Sequence, residues 1–400
     1  MTIGSRPGTL GPSEPIGIRD TTLTDGQLCV WHGAMTNEML LPILPRMDGA
    51  GFRSIEIMDP AAFNACTLVA GEDPWERIRL AAKRLTHTPV AVSLAGTYLF
   101  GDAPAGADDA RQTVQALTRS GIAVMQVYDP LNHVERAERL ITLANDAGLQ
   151  VVGAIVFALG EAYDNDYFIQ RARALKQYGC EAIALLDFAG ILHPERVRDI
   201  VPALRGELGS TTLEIRTHCR SGRAEISCFA ALDNGVETLH AACEVVAGGD
   251  SVPSSDYFVE HLEREGFKTL LNADAIAAVC DYFGALADAL GLPIAEQRLY
   301  DPNVDRHQFP IESEWQMTPA YDDIIRARAD AGEPPMAPPT SLQFCGAMPQ
   351  PQRAVRVSDR EAWGIAAETP LQLLIAELER RPWVTRIRVQ KGDFALETAL

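Results

Sequence analysis

The strongest constraint on this chain is a regular alternation of apolar runs and amphipathic segments over residues 17–244. Eight apolar runs recur about every thirty residues, and each gap holds a helical pattern such as "PERVRDIVPALRGEL". This alternation predicts βα units and a parallel sheet. Eight units in roughly 240 residues match a closed (β/α)8 TIM barrel, and the first turn, "LTDGQLC", lacks the Gly-rich pattern of an open dinucleotide-binding sheet. The runs are residues 17–23, 54–59, 90–96, 122–129, 150–158, 182–188, 212–219 and 238–244.

The segments outside this alternation predict three further regions around a barrel expected over residues 17–290. Residues 1–16 lack the apolar core of a signal peptide and predict a flexible tail. Residues 291–345 include the Pro-rich "GEPPMAPPTS" and predict an irregular extension. Residues 346–400 alternate strand-like and helical patterns, which predicts a small C-terminal α/β lobe.

Composition excludes several classes of partner. The net charge of −19 argues against nucleic acid and anionic membranes, which attract clustered Lys and Arg. The longest apolar run, "LQVVGAIVFALG", is too short to span a bilayer. The 8 cysteines show no CxxC spacing and predict reduced thiols, which indicates a cytoplasmic location.

Polar residues gather where the predicted strands end, which is where the loops of a TIM barrel form its active site. Because side chains alternate along a strand, we expect Arg216, His218 and Arg220 to share one face. Acids from several strands beside a His and an Arg predict an active site, although a charged rim would also keep a barrel in solution. The strand-end residues are Asp20, Asp25, Glu56, Asp59, Asp129, Asp187, Arg216, His218, Arg220 and Glu244, with Tyr98 after the third strand.

Several of these strand ends carry recognisable motifs: "DTTLTDG", "GEDPWERIRLAAKRL", "VYDPLN", "LLDFAGIL" and "THCRSGRAEI". Together they resemble the carboxyltransferase domains of biotin-dependent enzymes, which include pyruvate carboxylase, the α-subunit of oxaloacetate decarboxylase and the metal-bearing subunit of transcarboxylase. This group lies within a wider set of barrels that includes hydroxymethylglutaryl-CoA lyase. The resemblance covers residues 17–311 and implies a TIM barrel that makes or breaks C–C bonds.

The resemblance also implies a metal site, which this chain keeps only in part. In the family a divalent metal is held by a first-strand Asp, a carbamylated Lys on strand six and both His of an H-x-H motif on strand seven. The motifs place Asp25 at the Asp and His218 at the first His, but Leu186 at the Lys and Arg220 at the second His. Asp25 and His218 are thus an incomplete ligand set, which would hold Zn, Mn or Mg only if Glu56, Asp187 or another carboxylate joined them.

Other positions implied by the resemblance have changed as well. Thr24 stands at the Arg of the first-strand motif, Ala95 at the pyruvate-binding Arg and Gly249 near the proton-transferring Thr. Cys219 is adjacent to His218, but neighbouring residues on a strand point in opposite directions and make a poor chelate. No lysine lies at the end of a predicted barrel strand, so no shift in the alignment restores a carbamate. The chain's lysines are Lys83, Lys176, Lys268 and Lys391.

The same resemblance bears on biotin. Biotin attachment requires a Lys between two Met, and "RVQKGDFAL" around Lys391 has neither Met. The sequence therefore predicts no covalent biotin on this chain, and any biotin would arrive on a separate biotin- or acyl-carrier protein.

Two classes of function remain open. The first, which the charged strand ends favour, is an enzyme acting on a 2-oxo acid or a related small carboxylate or acyl substrate through an enolate, in a homodimer. Its expected catalytic residues are Asp25, Asp187 and Arg220, with Arg220 supplying the charge of the missing metal. The second is a degenerate barrel that binds a ligand or partner, in which an Arg220–Asp25 salt bridge only fills the emptied site. The expected substrate-binding residues are Glu56, Tyr98, Asp129, Arg216, Arg220 and Glu244.

Overall fold

The computed structural model describes residues 14–101, 105–129, 132–159, 163–298, 386–391 and 394–399. Its centre is a closed barrel of eight parallel strands in sequence order, and β8 closes the barrel by pairing with β1. The predicted (β/α)8 barrel is confirmed. The strands are β1 Gly17–Asp20, β2 Ser54–Met58, β3 Val90–Ala95, β4 Val124–Tyr128, β5 Gln150–Val156, β6 Ala182–Asp187, β7 Thr212–Thr217 and β8 Thr238–Ala241.

Helices surround the barrel and begin at caps that the sequence supplies. Asp73 accepts a hydrogen bond from the Trp75 N–H at 2.9 Å, and Pro74 occupies the first helical position, as predicted for that segment. The helices are α1 Gln27–Trp31, α2 Asn37–Leu40, α3 Leu44–Met47, α4 Pro60–Leu68, α5 Pro74–Ala82, α6 Ala107–Arg119, α7 Glu138–Asp146, α8 Asn165–Gln177, α9 Pro194–Leu208, α10 Ala224–Asp233, α11 Ser255–His261 and α12 Ala273–Leu290.

All eight strands end one to three residues earlier than predicted, and after three of them the chain turns sharply at the polar end. β1 stops at Asp20 and is followed by a π-helical turn over Thr22–Gly26. β7 and β8 are followed by 3-10 turns at Cys219–Ser221 and Glu244–Val246. Side chains beyond these strand ends therefore do not follow strand alternation, which changes the expected geometry of the barrel mouth.

The flanking regions are described only in part. Ile16, assigned to the predicted tail, is buried, and its N–H donates to the Lys268 carbonyl at 2.8 Å. Most of the predicted extension and the helical part of the predicted lobe lie outside the described residues. The described end of the lobe is an antiparallel pair, β9 Arg386–Lys391 and β10 Phe394–Ala399. None of the described helices has the length and apolarity needed to cross a membrane.

Candidate active site

The turn after β1 is built by its own side chains. The carboxylate of Asp20 accepts hydrogen bonds from the Thr22 N–H at 3.2 Å and the Thr22 hydroxyl at 2.7 Å. These bonds stop the strand and begin the π-helical turn that carries Asp25. Burial raises the pKa of Asp20 to about 7, although the hydrogen bonds from Thr22 oppose this rise.

Asp25 is the centre of a buried polar cluster at the barrel mouth. Its Oδ1 lies 2.8 Å from Arg216 Nη2 and 3.1 Å from His218 Nε2. Its Oδ2 accepts a hydrogen bond of 2.7 Å from the Ser251 hydroxyl. Burial opposes ionisation of Asp25, yet His218 and Arg216 hold its pKa well below the ordinary range. Asp25 is therefore an ionised, fully buried anchor for these two side chains.

Glu56 on β2 extends this cluster across the barrel. Its Oε1 lies 3.7 Å from Arg216 Nη1 and accepts a 2.8 Å hydrogen bond from the Thr24 hydroxyl. Its Oε2 accepts a 2.5 Å hydrogen bond from the Ser93 hydroxyl, which in turn accepts one of 3.1 Å from Gln126 Nε2. We call Asp25, Glu56, Arg216 and His218 the mouth cluster.

The mouth cluster keeps hydrogen-bond donors that the described residues do not satisfy. Arg216 Nε and Nη2 and both ring nitrogens of His218 are buried without an aligned partner, although Nη2 and Nε2 lie close to Asp25. Phe188 covers the Arg216 guanidinium at 5.2 Å and meets the His218 ring edge-on at 5.6 Å. Because buried donors are normally paired, this arrangement indicates a place for an anionic ligand.

Asp59 adds a carboxyl group whose pKa lies near neutral pH. Its Oδ1 accepts a 2.7 Å hydrogen bond from the Ala62 N–H and so caps α4. Burial and the adjacent Glu56 raise the pKa of Asp59 to about 7. A carboxyl group of this pKa can give or take a proton at neutral pH, so Asp59, like Asp20, is suited to proton transfer.

The structure corrects the register predicted for β7. The strand ends at Thr217, so Arg220 lies in the following turn, where its Nε is 3.6 Å from Asp250 Oδ1. The guanidinium that lies on Asp25 Oδ1 is that of Arg216, whereas the alternative interpretation of the sequence had placed Arg220 there. Arg216 and His218, two residues apart, both meet Asp25, so these two residues occupy the H-x-H positions instead of His218 and Arg220.

Asp187 is committed to its own loop. Its carboxylate accepts hydrogen bonds from the Ile191 N–H at 3.1 Å, the Leu192 N–H at 2.8 Å and the Thr217 hydroxyl at 2.7 Å. Burial raises its pKa. These three donors make Asp187 a support for the loop after β6, which differs from the acid or base expected from the sequence.

The remaining predicted residues lie around the mouth cluster without joining it. Asp129 accepts a 3.0 Å hydrogen bond from the His133 N–H in the loop after β4. Tyr98 is half-buried against the hydrophobic core. Glu244 is exposed, so its carboxylate lies outside the buried cluster. Cys219, considered with His218 as a zinc ligand, donates to Glu225 Oε1 at 3.5 Å and so points elsewhere.

Comparison with known proteins identifies the family. The HMGL-like family model matches residues 15–280. The chain belongs to the HMGL-like family. The B subunit of pyruvate carboxylase from Methanocaldococcus jannaschii is 30% identical over 342 residues, or 82% of this chain and 60% of the relative. The methylmalonyl-CoA carboxyltransferase 5S subunit of Propionibacterium freudenreichii is 26% identical over 84% of this chain and 69% of its own length. The chain thus spans only 60% of the length of the methanogen relative.

Solved structures agree with this assignment. The carboxyl transferase domain of Rhizobium etli pyruvate carboxylase with pyruvate and biocytin aligns with a TM-score of 0.73 at 21% identity, over 92% of this chain and 66% of that chain. At this identity the likeness establishes the barrel fold. The family predicted from the strand-end motifs is confirmed.

The metal site implied by the HMGL-like resemblance does not fit the residues present. Leu186, at the Lys position, is fully buried and offers no ligand atom. Arg216, at a His position, lies against the Asp25 oxygen that a metal would use. The atoms of Asp25, Cys29 and His218 do lie within 4.8 Å of one another. Cys29 Sγ is 3.7 Å from Asp25 Oδ1 but shares that oxygen with the guanidinium.

Two polar residues of α1, which follows the first turn, were not identified from the sequence as part of the site. Cys29 lies four positions after Asp25, the spacing that puts two side chains on one helical face, so a helix predicted at 27–31 would have revealed the pair. Gln27 is fully buried, and neither of its side-chain polar atoms has a partner among the described residues. Burial of an amide cannot be read from one polar letter in a turn.

Proposed function

We propose that this chain is a carboxyltransferase-like enzyme that makes or breaks a C–C bond beside the carbonyl of a 2-oxo acid or related carboxylate, through an enolate. The observation that carries the proposal is the mouth cluster, in which the buried guanidinium of Arg216 keeps donors available beside His218. A buried charge whose hydrogen-bond donors have no partners does not stabilise the fold. A ligand that accepts hydrogen bonds from these donors would account for the buried charge, which supports a functional role.

The cluster assigns a role to each group. Arg216 and His218 donate to the oxygen of the substrate carbonyl, and Asp25 positions both of them. In the cleavage direction, the electrons of the C–C bond pass to the carbonyl, CO2 leaves, and the enolate oxygen gains the negative charge. The protonated carboxyl of Asp59 then gives its proton to the enolate carbon, and the reverse sequence forms the bond.

Partners follow from the same chemistry. A transferred carboxyl group needs a carrier, and Lys391 lacks the flanking Met of a biotin attachment site. We therefore assign the carrier role to a separate biotin- or acyl-carrier protein. The homodimer and the cytoplasmic location predicted from sequence stay predictions.

The alternative is a degenerate barrel that binds a carboxylate without chemistry. It is favoured by Leu186 and Ala95, which stand where the resemblance has a Lys and an Arg. In this alternative, Arg216 binds the ligand and Asp59 only caps α4.

Loss of deuterium from C3 of deuterated pyruvate and of longer 2-oxo acids, followed by NMR, separates the two functions because only an enzyme forms the enolate. We expect exchange catalysed by the full chain and lost in Asp59→Asn. Asp108→Asn is the control, since Asp108 is exposed on α6. Binding of these acids without exchange, with and without a biotinylated carrier protein, would favour the degenerate barrel.

A further inference from the structure

The positions that correspond to the family's metal ligands carry a different set of charges in this chain. The metal set implied by the family has an Asp and a carbamylated Lys, whose two negative charges match a divalent cation. With the register that the structure gives, the four positions here hold Asp25, Leu186, Arg216 and His218. At these four positions Asp25 carries one negative charge and Arg216 one positive charge, so the two negative charges that match a divalent cation are not present.

We propose that the Arg216 guanidinium is the resident cation of this barrel and receives the anionic oxygen of the substrate in place of a divalent metal. The identity of that anion rests on the proposed function, whereas the exclusion of the metal does not. The guanidinium lies 2.8 Å from Asp25 Oδ1, the carboxylate oxygen that also faces His218 Nε2 at 3.1 Å. A metal bound to this oxygen would meet a buried like charge at contact distance.

The position of the guanidinium suits an anion receptor. Its edge keeps Nε and Nη2 without aligned partners among the described residues, while Phe188 blocks one face at 5.2 Å. An Arg edge of this kind binds a carboxylate through two parallel hydrogen bonds, which a Lys cannot reproduce. Charge of fixed position in a water-poor pocket is also what an enolate oxygen requires.

The charge has also moved across the barrel relative to the family motif. Thr24 stands where the first-strand motif has Arg, and its hydroxyl donates to Glu56 Oε1. Arg216 Nη1 approaches the same oxygen from β7 at 3.7 Å. A guanidinium therefore lies beside Glu56 in this chain. It belongs to Arg216 on β7, the strand that supplies metal ligands in the family.

Metal binding tests the exclusion directly. Metal analysis and calorimetric titration with Zn²⁺ and Mn²⁺ should find well below one equivalent on the full wild-type chain. Arg216→His removes the guanidinium and adds an imidazole beside Asp25 and His218, so this variant should gain tight, stoichiometric zinc. Arg111→His is the control and should gain none, because Arg111 is exposed on α6, away from the mouth cluster.

Three results would overturn the exclusion. The first is one tight equivalent of zinc on the wild-type chain that is lost in Cys29→Ala, since Asp25, Cys29 and His218 would then form the site. The second is a folded Arg216→His variant that takes up no metal, because the guanidinium would then not be what keeps the ion out. The third is zinc uptake by Arg111→His equal to that of Arg216→His. If Arg216→His does not fold, the wild-type titration alone decides.

Binding of oxalate, a planar dianion that resembles an enolate of pyruvate, tests the receptor role. Calorimetry in excess chelator should show binding by wild type, weakened at least about tenfold in Arg216→Lys and less than about twofold in the exposed control Arg111→Lys. Binding that appears only after a divalent metal is added would overturn the inference and leave the proposed function standing. Failure of wild type to bind oxalate or any 2-oxo acid would instead contradict the proposed function. The metal titration would then still test whether a divalent metal is excluded from the mouth cluster.

Discussion

Two buried charge clusters lie one above the other inside this barrel, and they differ in how completely their donors are used. In the deeper one, Arg19 donates from two nitrogens to the two carboxylate oxygens of Glu214 at 3.2 Å each, and His240 Nε2 lies 3.1 Å from the same carboxylate. Arg216, two residues beyond Glu214 and about 6.6 Å higher on β7, makes no such fork with Asp25.

β7 therefore carries two kinds of buried charge: Glu214, which stabilises the fold, and Arg216, to which we assign a functional role. A fork of this kind pairs two buried charges, so loss of either partner is costly, although Arg19 Nη1 and His240 Nδ1 have no hydrogen-bond partner among the described residues. The mouth cluster instead leaves guanidinium and imidazole donors beside an ionised carboxylate. We infer that the deeper cluster of Arg19, Glu214 and His240 holds β1, β7 and β8 together, whereas the mouth cluster is arranged to bind an anion.

The largest expected effect breaks the deeper cluster. Glu214→Gln leaves the buried charge of Arg19 without its partner, so the free energy of unfolding at pH 7 should fall by about 3–5 kcal/mol. Burial opposes ionisation of Glu214, but Arg19 and His240 lower its pKa from 4.5 to about 2, so wild type should lose this contribution as the pH falls through that range. Urea unfolding measures both effects. A change under about 1 kcal/mol at pH 7 would show that this cluster does not stabilise the barrel.

A smaller effect of opposite sign is expected at the first turn. Burial raises the pKa of Asp20 from 3.8 to about 7, so the folded chain binds more protons than the unfolded chain between these values. Stability should therefore fall as the pH rises from about 4 to about 7. Asp20→Asn cannot ionise and should raise the free energy of unfolding at pH 8 by up to about 4 kcal/mol, with little change at pH 4. Equal effects at both pH values would show that ionisation of Asp20 is not the cause.

A third change tests which missing ligand matters. Leu186→Lys places a charge in a fully buried apolar position and should cost about 2 kcal/mol of stability. It should not create a metal site even in bicarbonate, because Arg216 still lies on Asp25. Stoichiometric zinc in this single variant would mean that the guanidinium moves aside readily.

The smallest effect is expected at the rim. Glu244→Gln alters an exposed side chain outside the mouth cluster, so stability should stay within about 0.5 kcal/mol and oxalate affinity should be unchanged. A loss of affinity would place Glu244 at the ligand, as its strand-end position first suggested.

The fold was predictable because local sequence patterns determine its strands and helices. Apolar runs such as "AIALLD" and caps such as Asp73 act over a few residues, and they determine the strand at Ala182–Asp187 and the start of α5. The family motifs also lie within single strand ends. Both predictions therefore held.

The candidate site was predicted in composition but not in pairing. Asp25, Glu56, Arg216 and His218 were all named as strand-end residues, yet Arg220 was placed at the second His position because β7 was extended two residues too far. The partners of a mouth residue lie far away in sequence, as for Asp25 and Ser251, which are 226 positions apart. No local period encodes such a contact.

The central claim is that the Arg216 guanidinium performs the work of a cation at the barrel mouth. The most direct test is C3 deuterium exchange from pyruvate and related 2-oxo acids, measured in excess chelator on wild type and Arg216→Lys. We predict that wild type exchanges without metal and that Arg216→Lys is slower by at least about tenfold while its unfolding free energy changes by less than about 1 kcal/mol. Exchange that stops in chelator and returns with zinc or manganese, or that proceeds equally well in Arg216→Lys, would contradict the claim.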